Sequence, residues 1–91
     1  MLFEWDPDKA SSYMKKHGVS FKEAASVFGD KNAITFDDPA HSVDEARSIT
    51  FGRSKLGRLL VVAHTFRGKK LRIISSRKMT HMEESIYYEE D

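Results

Sequence analysis

Apolar positions fall at helical spacing in the first third of the chain and at strand spacing over most of the remainder. Ala10, Tyr13, Met14 and His17 stand at i, i+3, i+4 and i+7, which is one face of a helix. Asp6 is placed to cap the exposed amides, and Pro7 suits the first helical position because its missing N–H has no intrahelical partner there. Gly18 closes this helix as a left-handed residue just past its end. Ser20 with Glu23 three positions on forms a capping box. Phe21, Ala24, Ala25 and Phe28 then repeat the same spacing until Gly29-Asp30 stops it. Two short amphipathic helices so close together predict a helical hairpin laid against a sheet.

The strand signals come next. Leu2–Trp5 reads as a short edge strand, and Ala33–Phe36 as a weak one. Asp37-Asp38-Pro39 is turn chemistry, and Pro39 to Asp44 a polar loop. From Glu45 to Arg53 the chain alternates, with Arg47, Ile49, Phe51 and Arg53 on one side and Ser48, Thr50 and Gly52 on the other. After a turn at Ser54–Gly57, the run Leu59–Phe66 is apolar on both faces and predicts a central strand. Arg67-Gly68 predicts a tight turn and Lys70–Ser76 the next strand. A two-residue turn there would pair Phe66 with Lys69, His64 with Leu71 and Val62 with Ile73. Leu60, Val62, Leu71 and Ile73 would then face the helices, and Val61, Ala63, Thr65, Arg72 and Ile74 the other way. Thr80 with Glu83 repeats the capping box and opens a last helix with Met82, Ile86 and Tyr87 as its apolar stripe. The five glycines read as turn residues. The prediction is one α+β domain over residues 1–91, in the order α-α-β-β-β-β-α: two N-terminal helices, a four-stranded antiparallel meander and a C-terminal helix, with the helices on one face.

Composition agrees with a single globular domain: 91 residues, 40% hydrophobic and 32% charged, are too apolar for a disordered chain and too few for two cores. The net charge of +1 says little, but its distribution says more. Ten Lys or Arg residues and no Asp or Glu lie between Glu45 and Glu83, while residues 1–45 carry nine acids against five bases. A strand-rich segment that is also the positive part of the molecule predicts a polyanion-binding face. The absence of cysteine excludes disulfides, thiolate zinc sites and a Cys nucleophile. The opening residues do not read as a secretory signal and no apolar run is long enough to span a bilayer, so the expectation is a cytoplasmic protein without membrane contact.

Several residues could carry chemistry. The cationic meander suits RNA or DNA phosphates, and a solvated face complemented by acidic neighbours or a protein partner is the plainer alternative. His64 could transfer protons near neutral pH, or be a core histidine hydrogen-bonded to backbone. The four histidines do not stand at metal-ligand spacing, and no metal or cofactor is expected. Glu45 and Glu83 could act as bases among arginines, against an ordinary salt bridge and an ordinary cap. Trp5 and Tyr87 could stack on bases or form the edge of the core. There is no phosphate-cradling Gly-rich loop and no nucleophile elbow.

One resemblance gathers these features. Phe3-Glu4-Trp5-Asp6-Pro7-Asp8-Lys9-Ala10 and Lys16-His17-Gly18-Val19-Ser20-Phe21 resemble the opening of the BrnT toxin family. The likeness continues through Glu45-Ala46-Arg47, Gly52-Arg53-Ser54, Gly57-Arg58-Leu59-Leu60-Val61-Val62 and His64-Thr65 to Arg72-Ile73-Ile74-Ser75-Ser76-Arg77, then Glu83 and Tyr87. Met79-Thr80 departs from the small residue usual before the last helix. The resemblance implies a RelE-like fold and a type II toxin that cleaves RNA and halts growth. It implies a BrnA-type ribbon-helix-helix antitoxin as partner, typically two of each chain, with operator DNA bound only through the antitoxin. The implied chemistry needs no metal, because the RNA 2′-OH is itself the nucleophile. Arg72 and Arg77 are expected to stabilise phosphate charge, His64 or Glu45 to move the proton, and Arg53, with Arg47 and Lys70, to hold the RNA backbone. The competing expectations are a non-catalytic basic binding module and a degenerate toxin that only binds its antitoxin or nucleic acid.

Overall fold

The computed structural model describes residues 1–38 and 46–89. In chain order these form β1 (Leu2–Trp5), α1 (Pro7–His17), α2 (Phe21–Ala25), a single 3₁₀ turn (Ser26–Gly29), β2 (Ile34–Asp37), β3 (Ser48–Arg53), β4 (Leu59–Arg67), β5 (Lys70–Lys78) and α3 (His81–Glu89). The strands make one five-stranded sheet in the order β1-β5-β4-β3-β2. The sheet is therefore mixed rather than a four-stranded antiparallel meander. β2 to β5 are antiparallel neighbours, and β1 adds to the outer edge of β5 as a parallel strand. A parallel pairing needs a long crossover, and here most of the chain is that crossover.

Local chemistry sets the helix ends. The Asp6 carboxylate accepts from Asp8 N–H at 2.8 Å and Lys9 N–H at 3.4 Å. Gly18, at φ 69°, donates its N–H to Met14 O, a conformation in which a side chain would be strained. Ser20 Oγ accepts from Glu23 N–H at 3.0 Å, but the Glu23 carboxylate does not return to cap Ser20. It is taken instead by Ser54 Oγ at 2.6 Å and by the Arg58 guanidinium, because a charge-assisted fork outcompetes a neutral amide. At the start of α3 the reciprocal box is complete: Glu83 N–H donates to Thr80 Oγ1 at 3.2 Å and Thr80 N–H to Glu83 Oε1 at 2.9 Å.

The sheet is covered on both faces. On one face Val19, Phe21, Ala24 and Val27 pack on Leu60, Val62, Leu71 and Ile73, with Phe3, Trp5, Ala10, Tyr13 and Phe28 around them. Complete burial of each such aliphatic side chain contributes about 1.5–3 kcal/mol. Met14, expected on this face, is exposed. On the opposite face Phe51, Val61, Met79 and Tyr87 form a second cluster with Ile34, Ile49, Leu59 and Ile86. So α3 lies across the sheet from α1 and α2, and it turns the buried Tyr87 and the half-buried Ile86 inward, while Met82 stays exposed. Met79 is one wall of this second cluster. Gly52 lies inside β3 rather than in a turn. A Cβ there would stand 3.0 Å from the Val27 Cβ and 3.3 Å from the Val27 carbonyl, so its bare backbone lets the 3₁₀ turn rest directly on the sheet.

The β4–β5 hairpin closes on the pair Arg67–Lys70, with Gly68 at φ 62° in the turn. His64 pairs with Ile73 and Phe66 with Leu71, two residues away from the expected register. A slip of two keeps every side chain on its predicted face, which is why the core set survived it. Between Ala63–Ser75 and His64–Ile73 the ladder holds a β-bulge with Ile74 as the extra residue.

Candidate active site

Below the bulge β5 alternates normally, so Arg72 shares its face with Thr65, its partner on β4. This is the outer face of the sheet, the one that carries Val61 and α3. Without interruption Arg77, five residues on, would point into the α1–α2 core. The bulge adds one residue, and Arg77 instead pairs with Val61 and turns outward. Two arginines an odd number of residues apart thus reach one surface. Re-aiming a side chain in this way is a common use of a bulge.

α3 then fixes Arg77. Its Nη1 and Nη2 donate to Glu83 Oε1 and Oε2 at 2.7 and 2.8 Å, and Nη1 also to Lys78 O at 3.1 Å. The guanidinium holds the Glu83 carboxyl well below its ordinary range, at about 2, with the Thr80 amide assisting against the cost of burial. Glu83 is therefore a fully charged clamp at neutral pH and a very weak base.

A row of polar residues crosses the outer face further down. Glu4 pairs with Arg72, Arg72 with Thr65, and one residue beyond the Ser48–His64 pair Arg47 lies alongside Thr65, with Asp38 across from it through the bond from Asp38 N–H to Arg47 O at 2.9 Å. Arg72 donates to Glu4 at 2.6 Å, and Thr65 Oγ1 donates to Ala46 O at 2.7 Å. Successive rows on one face lie about 7 Å apart, so this row stands roughly 14 Å from the row of Arg77. Between them is a cleft of about 250 Å³ lined by Arg47, Asp38, Ile49, Val61, Ala63, Ser75, Arg77 and neighbours on α1 and the bulge. Ala63 and Ser75 lie between the rows of the two arginines, with Ile49 and Val61 beside them. Asp38 is the carboxylate among its described lining residues, and sequence reasoning passed over it as part of a turn. The signal was present: Ile34, Phe36 and Asp38 continue one alternating face of β2.

The other predicted residues separate. His64 is 3% exposed and lies on the α1–α2 face, away from Arg47 and Arg77. Its Nε2 is 2.7 Å from Thr50 Oγ1, which in turn is 2.8 Å from Thr35 Oγ1, and Phe28 packs edge-on to its ring. Burial pushes its pKa down to about 4. Trp5 packs edge-on against Phe21. Tyr87 is 2% exposed and donates its hydroxyl to Asp30 at 2.6 Å, so its ring is closed to a stacking base. Burial acts to raise the Asp30 pKa, but the bonds from Tyr87, Arg53 N–H and Asn32 N–H outweigh it and leave the group lowered. Arg53 reaches Gly57 O and Tyr88 Oη beyond α3, apart from the cleft. Lys70 is exposed at the far end of β5. Glu45 lies outside the described residues. Among the described residues no three His, Cys, Asp or Glu side chains gather as a metal site would need, and no helix is long and apolar enough to cross a membrane.

Comparison with solved structures gives the class first. The fold matches the crystal structure of the Brucella abortus ribonuclease toxin BrnT with a TM-score of 0.69 at 21% sequence identity, over 89% of this chain and 100% of that one. Residues 5–83 match the family model described as the ribonuclease toxin BrnT of type II toxin–antitoxin systems. The chain belongs to the BrnT toxin family. No curated protein matches it.

Proposed function

We propose that this protein is a metal-independent endoribonuclease whose scissile phosphate sits in the cleft between Arg47 and Arg77. One observation carries the reading: the bulge and the Glu83 clamp together set Arg77 on the same face as Arg47, at opposite ends of one cleft. RNA supplies its own nucleophile, so the protein must hold the phosphate, accept a proton and stabilise charge. Asp38 accepts the 2′-OH proton as the O2′–P bond forms. Arg47 and Arg77 stabilise the non-bridging oxygens of the phosphorane. The P–O5′ bond then breaks, leaving a 2′,3′-cyclic phosphate and a 5′-oxygen that takes its proton from water. Arg72, which pairs with Glu4 and is not among the residues lining the cleft, attracts the backbone from the edge of the site. His64 has no part in these steps, being neutral and on the other face.

A toxin of this family has an antitoxin. We take the partner to be a BrnA-type ribbon-helix-helix protein in a complex of two toxins and two antitoxins, acting in the cytoplasm where the RNA is. The RelE-like affiliation of the fold belongs to the same reading, supported by helices that precede a cation-bearing sheet.

The test is cleavage of RNA by purified protein in EDTA. Arg47→Ala, and Arg77→Lys, which keeps a positive charge against Glu83, are each expected to lower the rate about 10²–10³-fold. Asp38→Asn should lower it by about 10²-fold or more. Binding without cleavage by the unaltered protein, or undiminished rates in all three variants, would overturn the proposal.

A further inference from the structure

One residue lining the cleft takes no part in the steps assigned to Asp38, Arg47 and Arg77. Tyr13 belongs to α1, on the far side of the sheet from the two arginines, yet it lines the same cleft. A side chain cannot pass through a hydrogen-bonded sheet, so Tyr13 reaches the cleft around an edge. That edge belongs to β5. α1 rests on β5, and β1 covers β5 only as far as the pair Trp5–Ile73. Just beyond this last pair stands the bulged Ile74, and Ile74 and Ser75 line the cleft together with Tyr13. Packing orients the ring. His17, one turn further along α1, stacks on it with centroids 5.7 Å apart at 23°, and Phe21 packs against it at 5.7 Å. The side chain is half-buried against the first core. A phenylalanine would make the same ring contacts. The hydroxyl adds nothing to them, and among the described residues no group hydrogen-bonds it. A tyrosine hydroxyl at the margin of a core usually has a polar partner.

We infer that Tyr13 is a further catalytic residue of the cleft, donating a hydrogen bond from its hydroxyl to the 5′-oxygen that leaves as the RNA is cut. The inference rests on the ribonuclease reading of the cleft. Its support is lateral placement. Asp38 and Arg47 belong to the β2–β3 side of the sheet, Ala63 of β4 lies between, and Tyr13 stands at the β5 side. β3 and β5 are two strand spacings apart, roughly 10 Å, which is the width of a phosphate with one hydrogen-bonding group on each side. In-line displacement places the attacking and leaving oxygens on opposite sides of phosphorus. Asp38 serves the attacking O2′, so the side left for O5′ is that of Tyr13. As the P–O5′ bond breaks, its electron pair goes to O5′, and the charge there meets the Tyr13 O–H. Water then gives O5′ its proton, and the hydroxide left behind takes the proton that Asp38 holds. Tyr13 keeps its own proton throughout. A hydrogen bond to a charge that develops only in the transition state raises kcat and leaves substrate binding alone.

The experiment compares two single-stranded RNAs of one sequence whose main cleavage site has been mapped. One is ordinary RNA, and in the other sulfur replaces the 5′-oxygen at that site. A thiolate is a far better leaving group than an alkoxide and needs no hydrogen bond to depart. Tyr13→Phe keeps the ring contacts with His17 and Phe21 and removes only the donor. On the oxygen RNA it should lower kcat about 10–10²-fold with KM unchanged. On the sulfur RNA it should match the unaltered protein. Asp38→Asn should stay slow on both, because both need the 2′-OH deprotonated. If Tyr13→Phe cleaves the oxygen RNA at the full rate, the inference is wrong. If it is equally slow on both RNAs, Tyr13 only holds the phosphate or α1 in place and the inference falls. Recovery on the sulfur RNA by Asp38→Asn in place of Tyr13→Phe would exchange the two sides and overturn the assignment. An unaltered protein that cleaves neither RNA would instead bring down the ribonuclease reading itself, and this inference with it.

Discussion

Glu83→Gln isolates the clamp on Arg77. The substitution keeps the shape of the side chain and an acceptor for the Thr80 amide, but removes the charge that faces the guanidinium. In the folded protein the carboxyl is held at about 2 against an ordinary 4.5. A difference of that size corresponds to about 3 kcal/mol of pairing. Arg77 is 41% exposed at its side chain, and screening by solvent reduces the effective contribution to about 1–2 kcal/mol. For a domain of this length that lowers the melting temperature by roughly 5–15 °C. The folded-state pKa is depressed, so the stabilisation is present above pH 4.5 and is lost as pH falls from there toward 2. Thermal melts followed by circular dichroism should show a gap between the two proteins at pH 7 that closes over that window. A gap that stays constant down to pH 2, or no gap at pH 7, would refute the reasoning. The same variant should lose kcat with little change in KM, because Arg77 remains present but no longer fixed.

Two further tests address the frame around the site. The folded His64 pKa is lowered to about 4, so between 6.5 and 4 the unfolded chain takes up a proton that the folded one refuses, and stability falls as pH drops through that range, by up to about 3 kcal/mol; in urea unfolding from pH 7 to 4.5, His64→Gln should flatten this slope, and an unchanged slope would assign it to other groups. Arg58→Ala should cost about 3–5 kcal/mol because it strands Glu23, whose side chain is 5% exposed, and adding Glu23→Gln should recover part of that loss; simple additivity of the two in denaturant melts would count against the pair.

Periodicity revealed the elements well and their partners less well. The caps at Asp6, Ser20 and Thr80 and the alternation of β3 are local events, set by residues three or four apart, and they stand where the sequence puts them. The face of α3 is different. Ile86 and Tyr87 read as an apolar stripe whichever side of the sheet they cover, and only the second cluster around Phe51 and Val61 decides it. Leu2–Trp5 reads as an edge strand, yet nothing in four residues says that its neighbour is β5. The site shows the same division. Arg47 and Arg77 stand out as cations in a strand-rich segment, but alternation alone sends Arg72 and Arg77 to opposite faces. The bulge at Ile74 has no composition cue, since Ile74 is an ordinary strand residue. Asp38 was hidden by the Asp-Pro turn chemistry around it. His64 looked chemical because imidazole titrates near neutrality, whereas its surroundings, Phe28, Thr50 and the core, are supplied by distant parts of the chain.

The position of β1 also bears on how the molecule comes into being. Its partner residues, Lys70 to Ile73, are separated from it in sequence by both helices and three strands. During synthesis Leu2–Trp5 emerges well before β5, and it has no strand to join until β5 has followed. α1 rests on β5 as well, so the N-terminal helix must also wait. Loop closure over such a distance is slow, and a nascent chain carries these apolar residues undocked until β5 is available. The Glu4–Arg72 pair can form only at that late step. Folding of the cation-bearing face is thus tied to the emergence of β5, and a chain released before that strand would lack it.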